Sequence, residues 1–344
     1  MKYRSNLSIF EYNRPFELES GASLSKLTLA YTTFGKLSAN KNNVVWVLHA
    51  LTANANPMEW WPGLVGSGCL LSPEKYYIVC ANMLGSCYGT TGPESINPET
   101  GTQYGMDFPQ ITIRDMVKAY ELLREYLSLE KIFLGIGGSM GGQQLLEWNI
   151  MNPGLFENNC LIATNMRHSA WGIAFNAAQR MAMEADPTLY QKTAGAGLLG
   201  LKAARAIAML SYRNAAIFRK KQTDTVAKMD GFKAESYLRY QGEKLGKRFS
   251  PQAYWFLTKA MDSHHIGRGR KAVRKELKKV KANTLVISIK NDLLFSFKEQ
   301  RFMASGFKNG RFELIESYYG HDGFLIETAK LSTLIEGFIY GPER

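Results

Sequence analysis

The chain has 344 residues, 45% of them hydrophobic and 21% charged, a balance that supplies a large core and excludes a disordered chain. No stretch approaches the ~18 uninterrupted apolar residues of a membrane span, and the opening "MKYRSNLSIFEYNRPFELES" has no basic patch followed by an apolar run of signal-peptide type, so a cytoplasmic protein is expected. The net charge of +12 is uneven, because residues 200–281 carry 21 Lys and Arg against six Asp and Glu.

Along the chain, "NVVWVLHA" (43–50), "KYYIVCANM" (75–83), "KIFLGIGG" (131–138) and "NNCLIATN" (158–165) are short β-rich apolar runs. "NTLVISIKND" (283–292) and "FELIES" (312–317) follow late in the sequence. Apolar runs bounded by turn residues suit strands covered on both faces, as in a parallel sheet. Helical patterns alternate with them. "TIRDMVKAYELLREYL" (112–127) sets Met116, Tyr120, Leu123 and Tyr126 or Leu127 on one side, and "GGQQLLEWNIMN" (141–152) ends before Pro153. The alternation predicts an α/β fold with a mostly parallel central sheet flanked by helices. It stops over 168–280, where only helices and loops are expected. The domain reading is therefore a core of 1–167 and 281–344 with a helical lid insertion at 168–280.

That insertion holds the basic residues. They form either a solvated helical face or a surface that draws a polyanion; no nucleic-acid recognition motif accompanies them, whereas a phosphorylated cofactor is a fitting anion. Cys69, Cys80, Cys87 and Cys160 make no CxxC pair. Neither a metal site nor a disulfide framework is expected, and buried thiols are.

Gly137-Gly138-Ser139-Met140-Gly141 matches G-x-S-x-G between a predicted strand and a predicted helix. Such a serine sits on a strained turn with its hydroxyl presented for attack; the competing reading is a glycine turn whose serine caps the helix. A serine hydroxyl needs a base. In hydrolase folds of this kind the order is Ser, then acid, then His, the latter two at the ends of late strands. Asp292 follows "NTLVISIK" and His321 follows "FELIES", so Ser139, Asp292 and His321 obey order and position together. His49 competes as a base by residue type, but it precedes the serine, and amides near Leu51 are candidates for an oxyanion hole. Asp322 either binds a substrate cation or caps the helix before "GFLIE".

Longer motifs are more specific: "HALT" (49–52), "WWPGLVGSG" (60–68), "GSCYGTTGPESINPETG" (85–101), "GGSMGGQQLLEW" (137–148), "ESYLRYQGEK" (235–244), "TKAMDSH" (258–264) and "YGHDGFLIE" (319–327). With these the chain, from about residue 10 to 340, closely resembles the homoserine O-acetyltransferase family, α/β-hydrolase-fold enzymes of methionine biosynthesis. The resemblance implies the triad Ser139, Asp292 and His321, oxyanion donors from the backbone N–H groups of Leu51 and Met140, and substrate binding by Arg180 and Asp322. It also implies acetyl-CoA as co-substrate with no bound cofactor, L-homoserine as acceptor, and a homodimer. The donor alternative is succinyl-CoA, the acceptor alternative L-serine, and plain ester hydrolysis is the rival chemistry. Two positions depart from the family pattern: Ala53-Asn54-Ala55-Asn56 stands where Gly and Asp are common after "HALT", and Ser296 where Pro is common.

Overall fold

The computed structural model describes residues 7–341. Eight strands form one sheet: β1 (Ser8–Tyr12), β2 (Leu27–Phe34), β3 (Val44–Leu48), β4 (Tyr77–Ala81), β5 (Ile132–Gly138), β6 (Phe156–Ile162), β7 (Asn283–Ile289) and β8 (Gly310–Ile315). Their spatial order is β1-β2-β4-β3-β5-β6-β7-β8. From β4 onward all neighbours are parallel, and β1–β2 and β2–β4 are antiparallel. The predicted runs supply the six parallel strands. The antiparallel pair at the N-terminal edge was not among them, because β1 alternates exposed and buried residues and so has no apolar run.

Every residue of β3 is buried, because apolar layers cover both faces of the sheet. One contains Trp46, Tyr120 and Trp148, and the other Val47, Trp61, Ile136 and Leu331. Helix α1 (Ile113–Tyr126) opens with a capping box between Thr112 and Asp115 and buries Met116, Tyr120 and Leu123. Tyr126 is exposed while Leu127 packs against the core, so Leu127 is the residue that continues the stripe. Helix α2 (Met140–Met151) follows β5 directly.

Between β6 and β7 the described residues form helices and no named strand: α3 (Ala170–Glu184), α4 (Leu198–Tyr212), α5 (Ala215–Gln222), α6 (Lys233–Gly246), α7 (Pro251–Asp262) and shorter turns. The neck of this excursion is a short antiparallel pairing, in which the His168 amide donates to the His264 carbonyl (2.9 Å) and the Ile266 amide to the Met166 carbonyl (3.0 Å). Residues 267–280 thus run past the neck, and Leu277 packs back near Gly306 beside the sheet. No helix among the described residues is long and apolar enough to cross a membrane.

Candidate active site

β5 runs into α2 through Ser139, whose φ of 55° and ψ of −124° lie where a non-glycine residue is strained. The turn closes only because its neighbours have no side chain. A Cβ on Gly141 would strike the Leu48 carbonyl, and one on Gly137 would stand 2.5 Å from the Gly141 carbonyl carbon. Ser139 makes no side-chain capping bond to α2. Its hydroxyl donates instead to Nε2 of His321 over 3.0 Å.

His321 Nδ1–H donates to Asp292 Oδ2 over 2.7 Å. The carboxylate can only accept there, so Nδ1 carries the proton and Nε2 is left free to take one from Ser139. Asp292 lies in the loop after β7, its side chain fully buried. Its other oxygen accepts from the Leu294 (2.7 Å) and Phe295 (3.0 Å) amides. Burial pushes the His321 pKa down, but the Asp292 charge and hydrogen bond, with Asp322 adding to them, outweigh it and leave the pKa above its ordinary 6.5.

His49 is a different kind of histidine. Its Nε2 accepts from the Met83 amide (3.1 Å), its Nδ1 lies 2.9 Å from the Ala50 carbonyl, and burial lowers its pKa to about 4. Both nitrogens are occupied, and the ring locks the end of β3 in place. His264 is likewise buried, with Nε2 on the Asn165 carbonyl and a pKa lowered by burial to about 3.

Leu51 follows β3 and lines the space beside Ser139. Met140 is the first residue of α2, where an amide has no intrahelical acceptor. Among the described residues, neither amide donates to another backbone group. The departing loop Ala53–Asn56 is pinned nearby, with the Asn54 carbonyl accepting from the Trp60 indole (2.9 Å). Ser296 caps helix Phe297–Ala304, its hydroxyl accepting from the Lys298 amide (3.3 Å).

Two recesses meet at Ser139. One, of about 70 Å³, is bordered by His321, Asp322, Arg205, Tyr212 and Phe324. The other is closed, with about 20 Å³ of room, and lies among Asn176, Gln179, Tyr212, Met261 and Leu294. Asp322 therefore faces the reaction side, and it makes no capping hydrogen bond to the following helix. Burial raises its pKa, opposed by Arg213 and Arg205, and Arg213 Nε stands 2.9 Å from its Oδ2.

Arg180 is elsewhere. It is buried on α3 and ion-paired with Asp262 of α7, whose other oxygen accepts from Asn176 (2.8 Å). The recess that holds Asp322 is bordered instead by Arg205 of α4, which sequence reasoning passed over. Arg205 has no carboxylate partner among the described residues, and its Nε is buried without an acceptor. A sequence signal was present: Arg205 is a lone cation within "AARAIAML", where a solvated residue is out of place.

Against known proteins, the alpha/beta hydrolase fold family matches residues 43–328. A curated homoserine O-acetyltransferase of Cyclobacterium marinum is 49% identical over 330 residues, covering 96% of this chain and 94% of that protein. The chain belongs to the homoserine O-acetyltransferase family. Solved structures extend the likeness in fold. The homoserine O-acetyltransferase from Bacillus anthracis superposes with a TM-score of 0.90 at 21% identity, covering 98% of each chain. Esterase E22 does so with 0.89 at 21% identity, covering 98% of this chain and all of the other. The fold alone therefore does not separate transfer from hydrolysis; the sequence relationship does.

Proposed function

We propose that the chain moves an acetyl group from acetyl-CoA to the side-chain hydroxyl of L-homoserine, in two half-reactions through an acyl-Ser139. Ser139 Oγ attacks the thioester carbonyl carbon while His321 Nε2 takes its proton, and Asp292 holds the imidazole and stabilises its cation. The new oxyanion turns to the Leu51 and Met140 amides, where loss of one donor costs roughly 10²–10³ in rate. The C–S bond breaks, His321 returns the proton to sulfur, and the thiol leaves. The acceptor hydroxyl then gives its proton to His321 and attacks the acyl-serine, regenerating Ser139.

The observation that carries this reading is the recess in which Ser139 and His321 share walls with one carboxylate, Asp322, and one guanidinium, Arg205, that has no carboxylate partner among the described residues. A zwitterionic amino acid needs one fixed charge of each sign, and Arg binds carboxylate in a bidentate fork. We assign the carboxylate to Arg205 and the ammonium to Asp322. Helices α3, α4 and α7 roof Ser139, which fits a lid that excludes competing water. The outer groove among Arg213, Lys221, Tyr237 and Tyr319 is our candidate path for the phosphorylated donor. We further propose a cytoplasmic homodimer, as the family resemblance implies.

A donor–acceptor matrix tests the reading: acetyl- and succinyl-CoA against homoserine and serine, following thiol release. Release from acetyl-CoA that depends on homoserine is expected, and it should vanish in Ser139→Ala. Release at the same rate without acceptor would make the protein a hydrolase.

A further inference from the structure

We infer that the closed recess beside Ser139 is the acyl pocket, and that Met261, Leu294 and Tyr212 limit the transferred group to two carbons. The inference rests on the transferase reading above and adds the element that sets donor length. Both the leaving thiol and the incoming hydroxyl exchange a proton with His321 Nε2, so both must occupy the recess that His321 borders. With the carbonyl oxygen on the Leu51 and Met140 amides, the acyl carbon chain has one direction left, into the recess that His321 does not line.

That space is small. Its 20 Å³ compares with the roughly 10–15 Å³ that a single water needs, so it holds a methyl group and little more. Its walls resist widening. Met261 is buried on α7, Tyr212 lies at the end of α4 with its ring 5.7 Å from that of His321, and the Leu294 amide is tied to Asp292. A succinyl group adds a carboxylate as well as length, and the recess offers it no cation. Arg180, one turn along α3 from Asn176, does not line the recess and pairs through Nη2 with Asp262. His168 accepts at Nε2 from the Asn176 amide over 3.2 Å and is the neutral imidazole.

The chemistry is unchanged across donors: the Oγ–C bond forms, the C–S bond breaks, and one proton passes from Ser139 through His321 to sulfur. Only the fit of the chain differs. The experiment measures kcat/KM for acetyl-, propionyl-, butyryl- and succinyl-CoA with saturating homoserine, and the mass of the acyl-enzyme formed without acceptor. In the unmodified enzyme, each added methylene should cost about tenfold or more, and succinyl-CoA should leave no acyl-enzyme. Met261→Ala should raise the butyryl-to-acetyl ratio at least about tenfold. Met261→Leu, which conserves volume, should keep the original ratio. Butyryl- or succinyl-CoA used within about threefold of acetyl-CoA would overturn the inference, as would a ratio unmoved in a folded Met261→Ala protein. Homoserine-dependent thiol release from acetyl-CoA reads the transferase function separately, so each idea can fail without the other.

Discussion

Replacing Arg205 and Arg180 in turn by Met separates the arginine proposed to bind substrate from the arginine that ties α3 to α7. Arg205 borders the Ser139 recess and has no carboxylate partner among the described residues, so its removal breaks no ion pair there. A hydrogen bond to a charged group is worth about 1.5–3 kcal/mol, so Arg205→Met should raise KM for homoserine about tenfold to 10²-fold. Acyl-enzyme formation from acetyl-CoA should survive. Arg180 is the reverse case. Its side chain is 9% exposed and that of Asp262 14%, so Arg180→Met leaves a carboxylate largely buried. Breaking such a pair costs about 3–5 kcal/mol. The Asn176 hydrogen bond that remains on Asp262 puts the expectation at the lower end, seen as a drop of several degrees in Tm. The assays are steady-state kinetics with each substrate varied and a thermal melt. An Arg180→Met protein with unchanged Tm and a raised homoserine KM, beside an Arg205→Met protein with normal KM, would refute the assignment.

Activity should rise with pH through a pKa above 6.5, because His321 must be neutral to accept the Ser139 proton and its pKa is raised; a kcat/KM profile flat from pH 6 to 8 would contradict this. Stability should respond the other way for that residue: a folded-state pKa above the unfolded value stabilises below the unfolded pKa, and the gain is lost as pH rises through the folded one. His49 and His168, lowered mainly by burial to about 4, hold their proton more weakly when folded, so their contribution is lost as pH falls from about 6.5 towards 4. Tm measured across that window should fall on acidification. Gly141→Ala would put a methyl carbon 2.8 Å from the Leu48 carbonyl carbon and 3.2 Å from that of His49, where contact needs about 3.5–4.0 Å. The turn must give by a large fraction of an ångström, and kcat should fall about 10²-fold in a protein that still folds; unchanged kcat would count against the tight turn. Neutralising Lys220 and Lys221 should raise KM for acetyl-CoA at low salt and less so at high salt, as screening predicts.

What the sequence made legible was what depends on chain order. Ser139, Asp292 and His321 each stand at the end of a strand, and a parallel sheet brings strand ends to one edge, so position along the chain predicted proximity. Arg180 and Arg205 stand mid-helix, and which of them faces Ser139 depends on how α3 and α4 rotate against α7. That is a matter of packing: Gly200 on α4 lies against the Met183 backbone, where a Cβ would come within 2.6 Å. Motif likeness could suggest an arginine but not its facing. The edge strand β1 escaped for a related reason, since a half-covered strand lacks the apolar run by which the central ones were read, and in the largely buried β2 Thr28, Thr32 and Thr33 interrupt that run.

The two recesses divide the selectivity of the reaction between two kinds of force. On the His321 side, Arg205 and Asp322 select by charge under the proposed assignment, and Arg213 already holds Asp322. The acceptor's ammonium must therefore exchange with a guanidinium rather than meet a bare carboxylate. That exchange keeps a buried anion from standing unpaired beside Asp292, whose charge raises the Asp322 pKa. On the other side none of the lining residues is charged, and selection in the inferred acyl pocket is by volume. A single serine can then serve two chemically different partners in succession, because the group that stays, the acyl chain, is measured by shape. The groups that come and go, thiol and amino acid, pass on the one side where a proton can be moved.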